Sequence, residues 1–402
     1  MQPLLLINDL YWVGVLDPDL RIFDIIMEAE FGTTYNSYIL VGSEKTALLE
    51  TAKARYFDDY IASVENVKAL SEIDYIIVNH TEPDHAGSLE RIVTLNPDIT
   101  IVGSQVAITF LKHIMNCEFK SIIVKEKDTL SLGSKTLEFM ILPNLHWPDT
   151  MYTYVREDGI LFTCDSFGAH YSYDGVKRSA LTGKDEEDYK RSLRQYFNDI
   201  IYPFRAPFMT NALKRIEGLT INMICTGHGP VLDNKIDEVI SLYTEWSYTD
   251  NPNRKKTVII PYVSAYGYTK ELAELIKNGI IAGGDIDVRC YDMVESDYAH
   301  VMKEIEYADG LLFGTPTILG EALKPIWDLV ISMYCPIHRG KIASAFGSYG
   351  WSGEGVGNII ERLKQVKLTV PDGFKVRFKP NEQEKKAAFD YGYNFGRMVL
   401  SK

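Results

Sequence analysis

No Cys-x-x-Cys pair occurs in this 402-residue chain, and its five cysteines (Cys117, Cys164, Cys225, Cys290 and Cys335) are scattered and odd in number. That absence excludes an appended thiolate module for iron or zinc and suits a reducing cytoplasm. Nor does any apolar run approach the roughly 20 residues that a membrane-spanning helix needs. The early run Leu4-Leu5-Leu6-Ile7 is followed by Asp9 and Asp17, with no basic segment before it, so it does not read as a signal peptide. Excess positive charge is missing as well. Forty-two Lys and Arg face 55 Asp and Glu, a net charge of −13, which argues against nucleic acid and anionic membranes as partners. Internal repeats and low-complexity segments are also absent.

A chain this long exceeds one ordinary core, so two domains are expected. The polar stretch from Tyr248 to Lys256 has two Asn, a Pro and a basic cluster without apolar periodicity, and reads as a linker. The expected domains are residues 1–250 and 254–402. The first has short β-type runs interrupted by turns, with helices expected over 57–70, 105–115 and 184–202. The second alternates regularly. Strands over 257–263, 285–291, 310–314, 341–346 and 374–378 are separated by helical stretches, which predicts an α/β domain with a parallel, doubly wound sheet.

Chemistry concentrates where strands of the first domain end. The apolar run Tyr75-Ile76-Ile77-Val78 leads into Asn79-His80-Thr81-Glu82-Pro83-Asp84-His85-Ala86-Gly87-Ser88. Pro83 breaks the run, and Asp84 is expected to cap a helix over Ala86 to Ile92. A capped helix that merely carries histidine is the competing reading. Against it stand His146, Asp165 and His228, each at or just past a further strand end. Period-two alternation places Cys164 and Asp165 on opposite faces, and Asp165 is taken as the one facing the site. Glycines on both sides of His228 let the backbone turn sharply there.

The order and spacing of these residues resemble the metallo-β-lactamase fold, an αββα sandwich with a two-metal site at one edge of its sheets. Hydrolytic members of that superfamily carry His where this chain has Glu82. With Glu82 the set has four imidazoles and three carboxylates, a mixture that suits iron, whereas zinc hydrolases lean on nitrogen. This variant resembles the flavodiiron proteins through Gly32-Thr33-Thr34-Tyr35-Asn36, His80 to Gly87, Leu145-His146-Trp147-Pro148-Asp149 and Gly227-His228-Gly229. The resemblance implies that His80, Glu82 and His146 hold one iron, that Asp84, His85 and His228 hold the other, and that Asp165 bridges them. His170 and Tyr196 become candidate catalytic side chains beside the metals. Two positions depart from the common pattern: Asp24 follows Arg21-Ile22-Phe23 where many members have His, and Tyr196-Phe197 stands for a Tyr-Tyr pair.

In the second domain, Ser264-Ala265-Tyr266-Gly267-Tyr268-Thr269 joins the first strand to the first helix, where backbone N–H groups and the positive helix end suit a phosphate. Thr315-Pro316-Thr317-Ile318-Leu319-Gly320 and Ser348-Tyr349-Gly350-Trp351-Ser352-Gly353 follow the third and fourth strands, at carboxyl ends where ligands bind in open α/β sheets. The loops resemble those of flavodoxin, implying an FMN site and strand order 2-1-3-4-5. No acidic residue follows a Gly-x-Gly-x-x-Gly turn, which disfavours a nicotinamide cofactor. The whole-chain resemblance implies a cytoplasmic oxidoreductase with FMN and two non-haem irons. It would reduce dioxygen to water, nitric oxide to nitrous oxide, or both. A separate donor, rubredoxin-like or a reduced deazaflavin coenzyme, and a head-to-tail homodimer are also implied. The rival readings are a zinc-dependent hydrolase with a flavodoxin-like accessory domain and a plain electron carrier.

Overall fold

The computed structural model describes residues 2–248 and 250–402; Met1 and Thr249, both inside the expected first domain and the latter inside the expected linker, lie outside the described residues. The chain divides into two compact units, Met1–Thr249 and Asp250–Lys402.

In the first unit a seven-stranded sheet runs in strict chain order. Its strands are β1 (Leu4–Ile7), β2 (Leu10–Trp12), β3 (Tyr38–Val41), β4 (Thr46–Leu49), β5 (Tyr75–Val78), β6 (Thr100–Ser104) and β7 (Lys120–Val124). The first four are antiparallel, and β4 to β7 are parallel. A five-stranded sheet follows with β8 (Thr129–Ser131), β9 (Thr136–Ile141), β10 (Met151–Val155), β11 (Ile160–Cys164) and β12 (Met223–Thr226). Only its last pair, β11 and β12, is parallel.

Side-chain alternation makes this a sandwich. Ile77 packs between the sheets against residues such as Phe139, Phe162 and Cys225, while its neighbours Ile76 and Val78 face outward to helices Phe57–Glu65, Leu89–Leu95 and Gln105–Met115. Burial of each such isoleucine contributes ~1.5–3 kcal/mol. The second sheet's outer face is covered by Lys184–Tyr196, Thr210–Ile216 and Ile236–Ser247. The layers are therefore αββα.

Several boundaries differ from expectation. Strand β10 is buried at every position and so shows no alternation, and β7 is an edge strand exposed over its first four residues. Neither carries a period-two pattern, which hid both in the sequence. The helix expected over 57–70 stops at Glu65, with Asn66 as its C-cap. The helix expected over 184–202 is α-helical only to Tyr196, and a π turn, Phe197–Ile201, follows.

The second unit is a five-stranded parallel sheet of β13 (Thr257–Tyr262), β14 (Asp287–Asp292), β15 (Gly310–Gly314), β16 (Ile342–Tyr349) and β17 (Phe374–Arg377). Its order is β14-β13-β15-β16-β17, the doubly wound order expected. Helices Tyr298–Tyr307, Lys324–Ile331 and Glu354–Gln365 pack on one face, and Tyr268–Gly283 and Glu382–Ser401 on the other. The last of these opens with a capping box between Asn381 and Glu384. No helix among the described residues is long and apolar enough to cross a membrane.

Candidate metal centre and ligand cleft

Strand direction brings the chemistry to one edge of the sandwich. Strands β5, β11 and β12 end at Val78, Cys164 and Thr226, and β9 shares the direction of β11 because two antiparallel steps separate them. His80 lies two residues past β5, Asp165 directly past β11 and His228 two past β12, while His146 sits in the loop after β9.

Between His80 and His85 the chain folds on itself. Pro83 opens a short helical turn, Pro83–Ala86, for which Glu82 and not Asp84 is the N-cap residue. The N–H groups of His85 and Ala86 both donate to the Glu82 carbonyl at 2.9 Å. Asp84 thus lies inside the turn, because proline takes the first helical position and places the cap at Glu82, two residues earlier than expected.

The fold gathers His80, Glu82, Asp84, His85, His146, Asp165 and His228 into two adjoining donor sets. His80, Glu82, His146 and Asp165 form one, and Asp84, His85 and His228 the other, with the donor atoms of each within 4.8 Å of one another. The Glu82 Oε2 atom is 3.1 Å from His80 Nε2 and 3.2 Å from His146 Nε2. Asp165 stands between the sets. Its Oδ2 is 3.0 Å from His146 Nε2 and 3.5 Å from His80 Nε2, and its Oδ1 is 3.0 Å from His85 Nε2 and 3.5 Å from His228 Nε2.

Electrostatics follow from that crowding. Burial opposes charge throughout, but opposite charges at contact distance prevail. Asp84 and Asp165 raise the His85 imidazole to about 10 against its burial. Asp149, Glu82 and Asp165 hold His80 well above its usual value, and Asp165 and Glu82 raise His146, again against burial. Conversely, His85 and His146 hold Asp165 well below the carboxylate range, and His146 and His80 lower Glu82.

Metal fits this arrangement better than hydrogen bonding alone. His228 Nε2 approaches Asp84 Oδ2 to 3.1 Å, yet neither oxygen of the buried Asp84 has hydrogen-bond geometry toward any donor. Ligand atoms aimed at a common point, instead of at each other, are what a cation requires.

A third cluster joins Cys164 to His85 and Asp165, contrary to the expectation that the thiol points away. The pairing of β11 with β12 is irregular at its end, and Cys164 has a φ of 48°, so simple alternation fails there. Burial, with Glu50 nearby, pushes this thiol well above its usual value, which disfavours the thiolate that a metal would need.

The segment Gly32 to Asn36 braces His228. The Thr34 carbonyl accepts from His228 Nδ1 at 2.5 Å, which directs Nε2 at the donor set, and the Gly229 N–H donates to Thr34 Oγ1 at 2.7 Å. Asn36 donates to the carbonyls of Thr226 and Gly229 at 3.0 and 2.9 Å. Both flanking glycines are required. A Cβ on Gly227 would lie 2.7 Å from His85 Cε1, and Gly229 has a φ of 77° with the Ala169 carbonyl 2.5 Å from where its Cβ would stand.

Tyr196 donates to Asp165 Oδ1 at 3.1 Å, and His170 Nδ1 meets Thr33 Oγ1 at 2.9 Å while its buried Nε2 has no partner. Burial, with His228 nearby, lowers His170 to about 3. Phe197 points elsewhere, its ring centroid 5.0 Å from that of Tyr243 and 5.2 Å from that of Trp246, so a hydroxyl there would enter the core. Asp24 reaches Glu82 and is raised to about 6 by burial and by the Glu82 and Asp84 carboxylates. Two further carboxylates, Glu50 and Asp149, are buried beside the site; Asp149 belongs to the Leu145–Asp149 motif, but the sequence assigned neither of them a role. The Asn79 N–H donates to Glu50 at 2.9 Å, and burial raises Glu50 to about 7.

In the second unit, a cleft of about 370 Å³ opens at the carboxyl ends of the strands. Tyr266, Tyr268, Pro316, Thr317, Ile318, Leu319, Gly320, Ser348, Tyr349, Gly350, Trp351 and Ser352 line it, joined by Glu354 and Phe378, which sequence reading missed. Ser264, Ala265, Gly267, Thr269, Thr315 and Gly353 do not line the cleft itself. They shape it. Ser264 Oγ accepts from the Lys270 N–H at 3.2 Å, Thr269 pairs with Ser348 at 3.1 Å, and Thr315 accepts from Leu323 N–H at 3.0 Å. Gly267 caps helix Tyr268–Gly283 without a side chain of its own, and Ser264 engages only the Lys270 N–H, which leaves those of Tyr268 and Thr269 open to an anion. Tyr266, Leu319 and Trp351 are more than 80% exposed around the cleft, an apolar rim suited to a flat aromatic ring.

Comparison with known proteins agrees with both halves. The chain matches the family described as ODP family beta lactamase over residues 33–229 and Flavodoxin over residues 260–392. It is 40% identical to the flavo-diiron protein FprA2 of Clostridium acetobutylicum, covering 98% of each chain. It is 32% identical to a nitric oxide reductase of Moorella thermoacetica, covering 97% of each. Among solved structures, rubredoxin oxygen:oxidoreductase from Desulfovibrio gigas superposes with a TM-score of 0.65 at 25% identity, over 100% of this chain and 99% of that one. With the sandwich, the parallel sheet and full-length relatives all in agreement, the chain belongs to the flavodiiron protein family.

Proposed function

We propose that this protein is an oxidoreductase in which electrons from a separate donor pass through FMN to a non-haem diiron centre that reduces dioxygen to water, nitric oxide to nitrous oxide, or both. The observation that carries this reading is the pair of buried donor sets sharing the Asp165 carboxylate. His80, Glu82 and His146 are assigned to one iron, Asp84, His85 and His228 to the other, and Asp165 to both. Bound iron would supply the reducing electrons and open coordination positions for a diatomic gas. Carboxylate donors mixed with imidazole favour iron.

The remaining side chains hold protons and exclude water. Burial and the Asp165 carboxylate push the Tyr196 phenol well above its usual value, so its proton stays on Oη beside Asp165. His170 keeps a neutral ring at neutral pH. The Phe23 ring lies 4.3 Å from that of His170 and 5.2 Å from that of His228, an apolar wall for a small uncharged substrate. In the second unit, Ser264 to Thr269 is assigned to the FMN phosphate, and Thr315 to Gly320 with Ser348 to Gly353 to the ring.

Proton release tests the ligand assignment. The carboxylates around them favour the protonated forms of His80, His85 and His146 in the metal-free chain, and a protonated ring must lose a proton to bind iron through the nitrogen facing the donor set. Loading ferrous iron should therefore release protons, and affinity should rise as pH rises toward the raised histidine values. Titration of metal-free protein in weak buffer reads this directly, and the absence of net proton release would contradict the assignment.

A rubredoxin-like protein or a reduced deazaflavin coenzyme is the proposed donor, the cytoplasm the proposed compartment, and a head-to-tail homodimer the proposed assembly. Five unpaired thiols support a reducing compartment. Exposed Ile25 and Ile26 in the first unit, and Leu319 and Trp351 in the second, supply apolar surface that pairing would cover. One experiment tests activity and pairing. Anaerobically reduced holoprotein is mixed with dioxygen or nitric oxide while flavin reoxidation is followed. Reoxidation faster than that of free FMN is expected with at least one gas, slowing on dilution as subunits separate. Rates equal to free FMN with both gases would refute the reductase, and a fast rate indifferent to dilution would refute transfer between subunits.

A further inference from the structure

Asp149 lies in neither donor set, is fully buried, and touches the structure around one metal position at three points. Its Oδ2 accepts from the Thr81 N–H at 2.7 Å, the peptide between His80 and Glu82. Its Oδ1 stands 3.4 Å from His80 Nδ1, and both are buried atoms without a hydrogen-bond partner. Its carbonyl accepts from Ser104 Oγ at 2.8 Å, which anchors the loop carrying His146 to the end of β6. One carboxylate thus reaches the His80 ring, the backbone that carries Glu82, and the loop of His146.

The other donor set is held without it. His228 Nδ1 faces the Thr34 carbonyl at 2.5 Å. The His85 carbonyl accepts from the Thr51 N–H at 2.9 Å and from Thr51 Oγ1 at 2.5 Å. Neither contact passes through Asp149.

We infer that Asp149 is a positioning residue for the His80–Glu82–His146 metal position alone, and that the two iron positions are braced independently. A carboxylate behind a ligating imidazole selects the tautomer that leaves Nε2 free and raises the ring's basicity. Here it also fixes the spacing of Glu82 relative to His80 through the Thr81 peptide. A neutral carbonyl stands in the equivalent place behind His228, so the two positions differ in outer charge although they share Asp165. This inference rests on the diiron reading above.

Asp149→Ala tests it in the full-length holoprotein. Chelator competition on the ferrous protein should resolve two phases, with one iron weakened about 10–100-fold and the other unchanged. The electron paramagnetic resonance signal of the coupled mixed-valence pair should give way to that of an isolated ferric ion. Asp149→Asn keeps one acceptor for the Thr81 N–H but loses the carboxylate behind His80, so it should weaken the same single iron less severely. Thermal melting of both variants reports folding separately. Loss of both irons in parallel with lowered melting, or two irons held as tightly as in the parent, would overturn the inference. A parent protein that never binds two irons would instead overturn the diiron reading.

Discussion

Replacing Asp165 with asparagine is expected to abolish the paired iron centre and to lower gas reduction more than about 100-fold, beyond the range typical of residues behind the ligands. The geometry accounts for the size. Asp165 presents Oδ2 to His146 and His80 and Oδ1 to His85 and His228, all at 3.0–3.5 Å, so each donor set depends on one of its oxygens. Asparagine offers one oxygen, and its amide nitrogen would face whichever set lost the other. It also removes the negative charge between two cations. Without metal, the variant leaves the buried His85 and His146 imidazoles with less countercharge, and stability should fall by ~3–5 kcal/mol, as when one member of a buried ion pair is removed. Iron content, turnover with each gas and chemical denaturation of the metal-free protein check the three parts. A variant with two irons and turnover within about threefold of the parent would show that Asp165 does not bridge.

Glu82→His should change which metal the site selects. Glu82 sits between His80 and His146 with Oε2 at 3.1 and 3.2 Å, and both imidazoles hold its carboxyl below the usual range. Histidine at this position would replace a hard oxygen by nitrogen and remove one negative charge from the four-donor set. Both changes favour zinc over ferric iron, so the zinc-to-iron ratio of protein made in medium containing both metals should rise roughly tenfold or more. Gas reduction should fall with iron content, since zinc has no redox chemistry at this site. Elemental analysis alongside turnover decides the matter. Unchanged iron loading would mean that the surrounding shell, and not Glu82, sets metal choice. Asp24 belongs to that shell, since it reaches Glu82 and is raised to about 6.

Much of this site was legible before any coordinate was considered, for a local reason. His80, Glu82, Asp84 and His85 fall within six residues at a strand end, so short-range chain geometry alone keeps them together. His146, Asp165 and His228 were legible as polar residues just past apolar runs. The parallel sheet of the second unit was legible because strand and helix periodicities alternate there without interruption. Strand β10 escaped because its five residues are all buried, and β7 because its edge is exposed. Asp84 was misplaced as a cap because Pro83 and Asp84 compete for the same turn, and proline's fixed φ wins the first helical position.

The sequence by itself determined the donor types, their spacing around Pro83 and the succession of sheets, since these depend on side-chain chemistry and on periodicity along a short stretch of chain. Only the tertiary structure decided that Asp165 faces both donor sets, that the Thr34 carbonyl orients His228, and that Asp149 joins the His80 segment to the loop of His146. Those contacts link residues 19 to 194 positions apart, and no local pattern encodes them. They exist because two sheets close face to face and bring their strand ends to one edge.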